Sequence, residues 1–290
     1  MVEHRRGVEV YSQPTRFVLE MIQNADDNSY SPGIKPSLTF TATKSCIEIR
    51  SNEVGFTTSD VRALCDVDQS TKKGSKETIG DIGIGFKSVF KVADTVHIRS
   101  NGFHFLLDKN TGPLGMVLPL WRELRGGHGT PTDTVILLRL SPQCNTEPIH
   151  GKLEGIKPTM LLFLRRISQL SVSTPGFMKS FSCSTRDESI VTITSREWKD
   201  VDPIDEELGY GTSDEVDPTD GVVGLEKAAD VQSQRYFLCR RTFTLHVEES
   251  RRPNAGPTEI SVAFPLGRND AMETQDVHAF LPIGNYGFKV

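Results

Sequence analysis

Phe17, Val18, Met21, Ile22 and Ala25 recur at spacings of three and four, which places them on one face of an α-helix and predicts such a helix at the start of the chain. The pattern then changes. "SLTFTAT" and "SCIEIRS" alternate apolar and polar positions, as two paired strands do, with Lys44 near the turn between them. In "TTSDVRALC" the helical period returns: Val61, Leu64 and Cys65 share a face, and Thr57, Thr58 or Ser59 can cap the start. The stretch from Asp66 to Thr78 has no apolar period and is expected to form a loop or lid.

After the glycine cluster "IGDIGIGF", the run "KSVFKVA" is expected to be a second helix, followed by strands at "TVHIRS", "FHFLLD" and "TVILLRL". A further helix is expected beyond Pro158 in "EGIKPTMLLFLRRI", leading into a strand at "QLSVS". Nine acidic residues and no Lys or Arg lie between Asp200 and Asp220, a composition that suits a solvated loop. Beyond it, "RYFLCRRTFTLHVEE", "TEISVAFPL" and "VHAFLPIGNYGFKV" are strand-like. The expected division is a first unit over 1–175 and a strand-rich region over 176–290, with the acidic loop at 200–230 and a unit that runs on past Val290. The order of elements predicts an α+β class, with a mixed, mostly antiparallel sheet and helices on one face.

Composition narrows the partners. The net charge of −5 over 290 residues argues against a mainly electrostatic affinity for nucleic acid or an anionic membrane, since both need a basic face. No run of about 18 apolar residues occurs. The five cysteines, Cys46, Cys65, Cys144, Cys183 and Cys239, show no metal-ligand spacing, which suggests reduced thiols and an intracellular protein, cytoplasmic or nuclear. The seven histidines are dispersed and form no metal motif.

The candidate chemistry begins on the first helix. Glu20 and Asn24 stand four apart at the rim of the apolar stripe, and Asp27 lies one turn further on. Alone, these residues would read as a solvated face. The glycines alter that. Gly80, Gly83 and Gly85 precede the expected second helix. Closely spaced glycines let backbone N–H groups approach a phosphate chain, and a helix start adds free donors. A P-loop would need Lys directly after its last glycine, but Phe86 precedes Lys87; a dinucleotide fingerprint would need a third glycine at another spacing.

"LEMIQNADD", followed at a distance by "IGDIGIGFKSVFKVAD", resembles the GHKL (Bergerat-fold) ATPases, which include the ninety-kilodalton heat-shock chaperone and the histidine kinases. "QNADDN", "NEVGF", "ALCDVDQSTK" and "GIGFKSVFKVAD" resemble the sacsin and NO VEIN branch in particular. The resemblance covers about half the chain, from Arg16 to Leu140, and "FLPIGNYGFKV" is similar to a downstream segment of the branch.

The resemblance implies a two-layer α/β sandwich that binds ATP or ADP with Mg²⁺, hydrolyses ATP slowly and passes nucleotide state to a protein partner or client. It implies Glu20 as the general base acting on the attacking water, Asn24 as the Mg²⁺ ligand, and Asp27 as a pocket residue near the ribose, with Asp26 in solvent or a supporting position. Gly80, Gly83 and Gly85 would hold phosphates beside Phe86. Ser70, Thr71 and Lys72 match the lid, and Thr134 matches a threonine that reaches the adenine pocket, with Thr130 as the other register. Lys87 is open between a phosphate contact and solvent. One departure stands out: the family's adenine-binding Asp is replaced by Ser51 in "SNEVGF", with Asn52 adjacent and Glu53 at a glycine position.

Overall fold

The computed structural model describes residues 14–65, 85–124, 132–187, 189–201, 229–243, 258–267, 274–279 and 281–289. The first helix, α1 (Arg16–Asp27), forms as its period predicts, burying Phe17, Val18, Met21, Ile22 and Ala25. Its N-cap, Thr15, makes no side-chain cap bond. Burial therefore holds it, at roughly 2 kcal/mol for each large apolar side chain. The hairpin follows as β1 (Ser37–Ala42) and β2 (Cys46–Ser51), antiparallel, with Phe40 opposite Ile49. Helix α2 (Thr58–Cys65) opens with a reciprocal cap: Thr57 N–H donates to Asp60 Oδ2 at 2.7 Å, and Asp60 N–H donates back to Thr57 Oγ1 at 3.3 Å.

The expected second helix is a single 3₁₀ segment, Lys87–Lys91. Val89, Phe90 and Val92 are weak helix formers, and the chain enters β3 (Ala93–Ser100) at once. The expected helix beyond Pro158 is likewise a 3₁₀ segment, Pro158–Leu162, whose Met160, Leu161 and Leu162 are all buried. A helix that the pattern did not suggest, α3 (Glu147–Glu154), precedes it, with Pro in its first turn.

The strands β4 (Phe103–Asp108), β5 (Leu120–Trp121), β6 (Thr134–Leu140), β7 (Gln169–Thr174), β8 (Phe177–Asp187), β9 (Ile190–Lys199), β10 (Asp230–Phe243) and β11 (Thr258–Leu266) complete one sheet with β1, β2 and β3. Its order is β11-β10-β9-β8-β7-β1-β2-β6-β3-β4-β5. A separate hairpin joins β12 (Thr274–Ala279) to β13 (Leu281–Lys289). The two-layer α/β sandwich is thereby overturned: the described residues form one eleven-stranded mixed sheet with three α-helices of 12, 8 and 8 residues, too few and too short to cover such a sheet. The physical reason is β7, which pairs with β1 in parallel, Leu38 beside Leu170 and Phe40 beside Val172. The later strands extend that ladder, β8 to β11 in antiparallel succession.

The main core lies on the face that carries Leu38, Phe40, Ile47, Ile49, Ile98 and Leu138, against which α1, α2 and the 3₁₀ segments pack. The opposite face has a small core of Cys46, Val135 and Leu137 under Leu124. No helix among the described residues is long and apolar enough to cross a membrane. The lid at 66–78, the acidic segment from 202 to 228 and Thr130 lie outside the described residues.

Candidate functional site

At one end of the main core face the sheet and the helices do not close. Strands β1, β2 and β6 form a floor through Leu38, Ile49, Ser51, Thr134 and Ile136. Helix α1 contributes Met21, Asn24 and Ala25, α2 contributes Asp60 and Leu64, and Phe86 enters from directly before the 3₁₀ segment Lys87–Lys91. The resulting cleft is partly open to solvent. Its walls are mainly apolar with a few polar groups, the usual character of a small-molecule site.

Local sequence explains the placement. Asn24 follows Met21 by one turn, so it projects beside the apolar stripe into the cleft while Met21 and Ala25 are buried. Ser51 ends β2 directly opposite Thr134, which starts β6. Gly55 has φ +86°, and a Cβ there would collide with Asn101; only glycine fits this turn. Phe86 is 2% exposed and belongs to the main core.

The polar side of the cleft is a connected network. Phe56 N–H donates to Ser100 Oγ at 2.8 Å, and Ser100 Oγ lies 2.6 Å from Thr134 Oγ1. The Thr134 hydroxyl in turn bonds the Glu53 carboxyl, which also accepts from Asn28 Nδ2. Tyr30 donates its hydroxyl to the Ala25 carbonyl at 2.7 Å and lies 3.2 Å from Ser51 Oγ. Glu53 is only 6% exposed. Burial pushes its carboxyl up to about 7, against the lowering effect of Thr134 and Asn28, and Asp60 adds to the rise. Burial also raises Tyr30.

Glu20 meets Gly85. A Cβ on Gly85 would overlap Glu20 Oε2, so the carboxylate rests against the bare Cα. Arg16 holds the other oxygen, with Nε at 2.9 Å and a second guanidinium nitrogen at 2.8 Å from Oε1. Ser88 Oγ–H donates to the Gly85 carbonyl at 2.6 Å, tying Gly85 to the 3₁₀ segment.

Of the expected site residues, Asn24, Ser51, Phe86 and Thr134 line one cleft, and Glu20 and Gly85 touch each other. Asn52, Asp27 and Lys87 are not among its lining residues. Asn52 bridges backbone instead, accepting from Ser37 N–H at 2.8 Å and donating to the Lys35 carbonyl at 2.9 Å. Asp27 faces Arg165 at 3.7 Å, and burial raises its carboxyl while that guanidinium opposes the rise. Lys87 is half-buried, and its charge bears on Cys65, whose thiol burial raises. Ser70, Thr71, Lys72, Gly80 and Gly83 lie outside the described residues.

Asp26 is neither solvated nor idle. It is 4% exposed, and its carboxylate accepts from the backbone N–H groups of Arg165 and Arg166 at 2.8 Å each and of Ile167 at 3.0 Å. The site residues that the sequence pattern missed are Glu53, Asn28 and Asp60. For Glu53 a signal existed: it stands two positions after Ser51, the spacing that returns a side chain to the same side of an extended chain.

A family model described as the sacsin domain matches residues 42–117. The chain is also 55% identical over 177 residues to the protein NO VEIN of Arabidopsis thaliana, covering 55% of this chain and 6% of that protein. It therefore spans only a small part of the relative it matches. The two likenesses support a place in the sacsin and NO VEIN-like branch.

Proposed function

We propose that the chain is a GHKL-type nucleotide-binding module that takes Mg²⁺-ATP into the cleft between α1, α2 and the sheet, hydrolyses it slowly, and passes nucleotide state to the downstream strands in a chaperone-like manner. The observation that carries this is the meeting of Glu20 with Gly85, one helical turn from Asn24 in the cleft wall. An acid and an amide from α1 and a glycine from a distant part of the chain share one neighbourhood. An apolar slot lies beside them for a base.

The donor set suits a magnesium ion that arrives with its nucleotide. Mg²⁺ keeps waters and phosphate oxygens and needs only one or two protein ligands, so the neutral amide oxygen of Asn24 is a sufficient protein contribution. When bound, the ion would neutralise charge on the phosphates. Glu20 would orient the attacking water, and backbone N–H groups of the glycine turn would hold the phosphate oxygens.

One observation favours a second function, a nucleotide-dependent scaffold without useful turnover. Arg16 already holds the Glu20 carboxylate, and a base so engaged must let go before it can take a proton.

Calorimetry with Mg²⁺-ATP and Mg²⁺-ADP tests binding, and steady-state hydrolysis by the native chain and by Glu20→Ala tests the base. Binding is expected within a few-fold of native in the variant, with turnover down by about a hundredfold or more, the usual contribution of a positioned acid or base. Equal hydrolysis by the two proteins would remove Glu20 from the chemistry; no hydrolysis by either, with binding intact, would leave the scaffold.

A further inference from the structure

We propose that the face of the sheet turned away from the cleft carries a second site, in which Arg99, His97 and His104 take the oxyanion of an acidic side chain, a phosphate or a carboxylate, presented by a peptide partner. This site stands apart from the nucleotide reading above, and neither depends on the other.

Strand register builds it. Thr95, His97 and Arg99 are alternate residues of β3 and share one side of the sheet. His97 stands between Leu106 of β4 and Leu137 of β6, and Arg99 between His104 and Val135. Val135 and Leu137 belong to the small core, whereas the intervening Val96 and Ile98 belong to the main one, so the polar side chains rise on the side opposite the cleft. Arg139 is level with Thr95, and Arg122 follows β5, its N–H donating to the His104 carbonyl at 3.2 Å.

The site is short of acceptors. Thr95 Oγ1, His97 Nδ1, Arg99 Nε and His104 Nδ1 are buried atoms without a hydrogen-bond partner, and among the described residues all the side-chain atoms in that condition lie on these two strands. Buried polar groups are nearly always paired, so four together mark a place for a group from outside. Arginine only donates, and a hydroxyl or an imidazole can donate as well. An oxyanion accepts from all of them.

Charge points the same way. Burial, with Arg139 and Arg122 adding to it, pushes the His97 imidazole down to about 4 against the pull of Asp108, so two cations bear on a ring that stays neutral near neutral pH. The nearby acids are engaged: Glu48, level with Leu137 on β2, is held by Arg50, and Asp108 accepts from the Asn110 N–H at 2.9 Å. The surroundings favour a peptide. Leu106 and Leu137 flank His97, and Leu120, opposite Leu106 on β5, is exposed; this apolar shoulder suits the neighbours of an acidic residue, whereas a nucleic acid would need a longer basic track.

The test titrates the 290-residue chain with inorganic phosphate, with a short leucine-containing peptide bearing phosphoserine, and with the same peptide bearing aspartate. Calorimetry gives the affinity, and the ring signals of the seven histidines in NMR, assigned through His97→Gln and His104→Gln, give the place. At least one peptide is expected to move the His97 and His104 signals and to bind more tightly than inorganic phosphate; which one does so identifies the anion as phosphate or carboxylate. Arg99→Gln is expected to weaken that peptide by about tenfold, the size of one charge-assisted hydrogen bond, and to leave any binding of Mg²⁺-ATP in the cleft unchanged.

His97 and His104 signals that stay still with all three ligands would overturn the site and leave water as the partner of these atoms. Inorganic phosphate binding as tightly as either peptide would overturn the peptide partner, and equal peptide binding by the native chain and Arg99→Gln would remove the arginine that anchors the proposal. Should Arg99→Gln not fold, Arg122→Gln, at an exposed position, carries the same comparison.

Discussion

Replacing Glu53 by Gln should make the chain more stable, and by an amount that depends on pH. In the native fold the carboxyl sits near 7, against an ordinary value near 4.5. The folded state therefore binds more protons than the unfolded state between these two values, so stability falls as pH rises through that window and the loss is complete above about 7. The sign is the reverse of a salt-bridged carboxylate, because burial dominates here. A gap of roughly two and a half pH units, at about 1.4 kcal/mol each, gives a full cost of about 3 kcal/mol, most of it falling between pH 5 and pH 8. Gln has no charge to desolvate and can still accept from Asn28. Urea unfolding of both proteins at intervals of half a pH unit would measure the difference. Glu53→Gln should gain about 2 to 3 kcal/mol relative to native as pH is raised from 5 to 8, with the m-value unchanged. A difference that is flat with pH, or that grows as pH falls, would show that Glu53 is not a desolvated acid and would refute the burial deduced for it.

Two further outcomes are expected. Asp26→Ala would leave the N–H groups of Arg165, Arg166 and Ile167 without their acceptor, that of Ile167 buried and the other two part-buried, and at about 1 to 3 kcal/mol for a buried donor and less for one that water reaches should lower unfolding stability by about 2 to 3 kcal/mol in urea; a change below about 1 kcal/mol would show that water or neighbouring groups satisfy all three. Gly85→Ala should cost about 1 to 3 kcal/mol by overpacking against Glu20, measured by thermal unfolding, and an unchanged midpoint would mean that α1 and Gly85 do not meet as described.

What could be read from the sequence was what local periodicity encodes. The apolar stripe of α1 and the alternation in β1 and β2 are written within a few residues of each other, and both elements formed as expected. At residues 87–91 periodicity misled, because the same apolar spacing fits a 3₁₀ turn and Val89 and Val92 disfavour a longer helix. The sheet's extent was hidden for another reason: nothing in "SLTFTAT" states that it will pair in parallel with "QLSVS", a choice made by distant partners. The choice between solvent and a supporting position for Asp26 was hidden for the same cause, since its three donors lie far along the chain. In the site, Asn24, Ser51 and Thr134 could be anticipated through motif resemblance. Glu53 was passed over despite its spacing from Ser51, because the resemblance placed it where a glycine belongs and drew attention to Ser51.

The parallel pairing of β1 with β7 has a consequence for how the chain acquires its shape. Every strand and helix around the cleft after β1 lies in the stretch of chain between these two partners, so docking β7 means closing a very long loop. Such closure is slow unless the loop has already condensed. Strands β8 to β11 join the cleft's part of the sheet only through β7. During synthesis the cleft should thus condense first and act as the template on which the later strands zip outward, and a ligand that steadies the early core would speed the maturation of everything added after it.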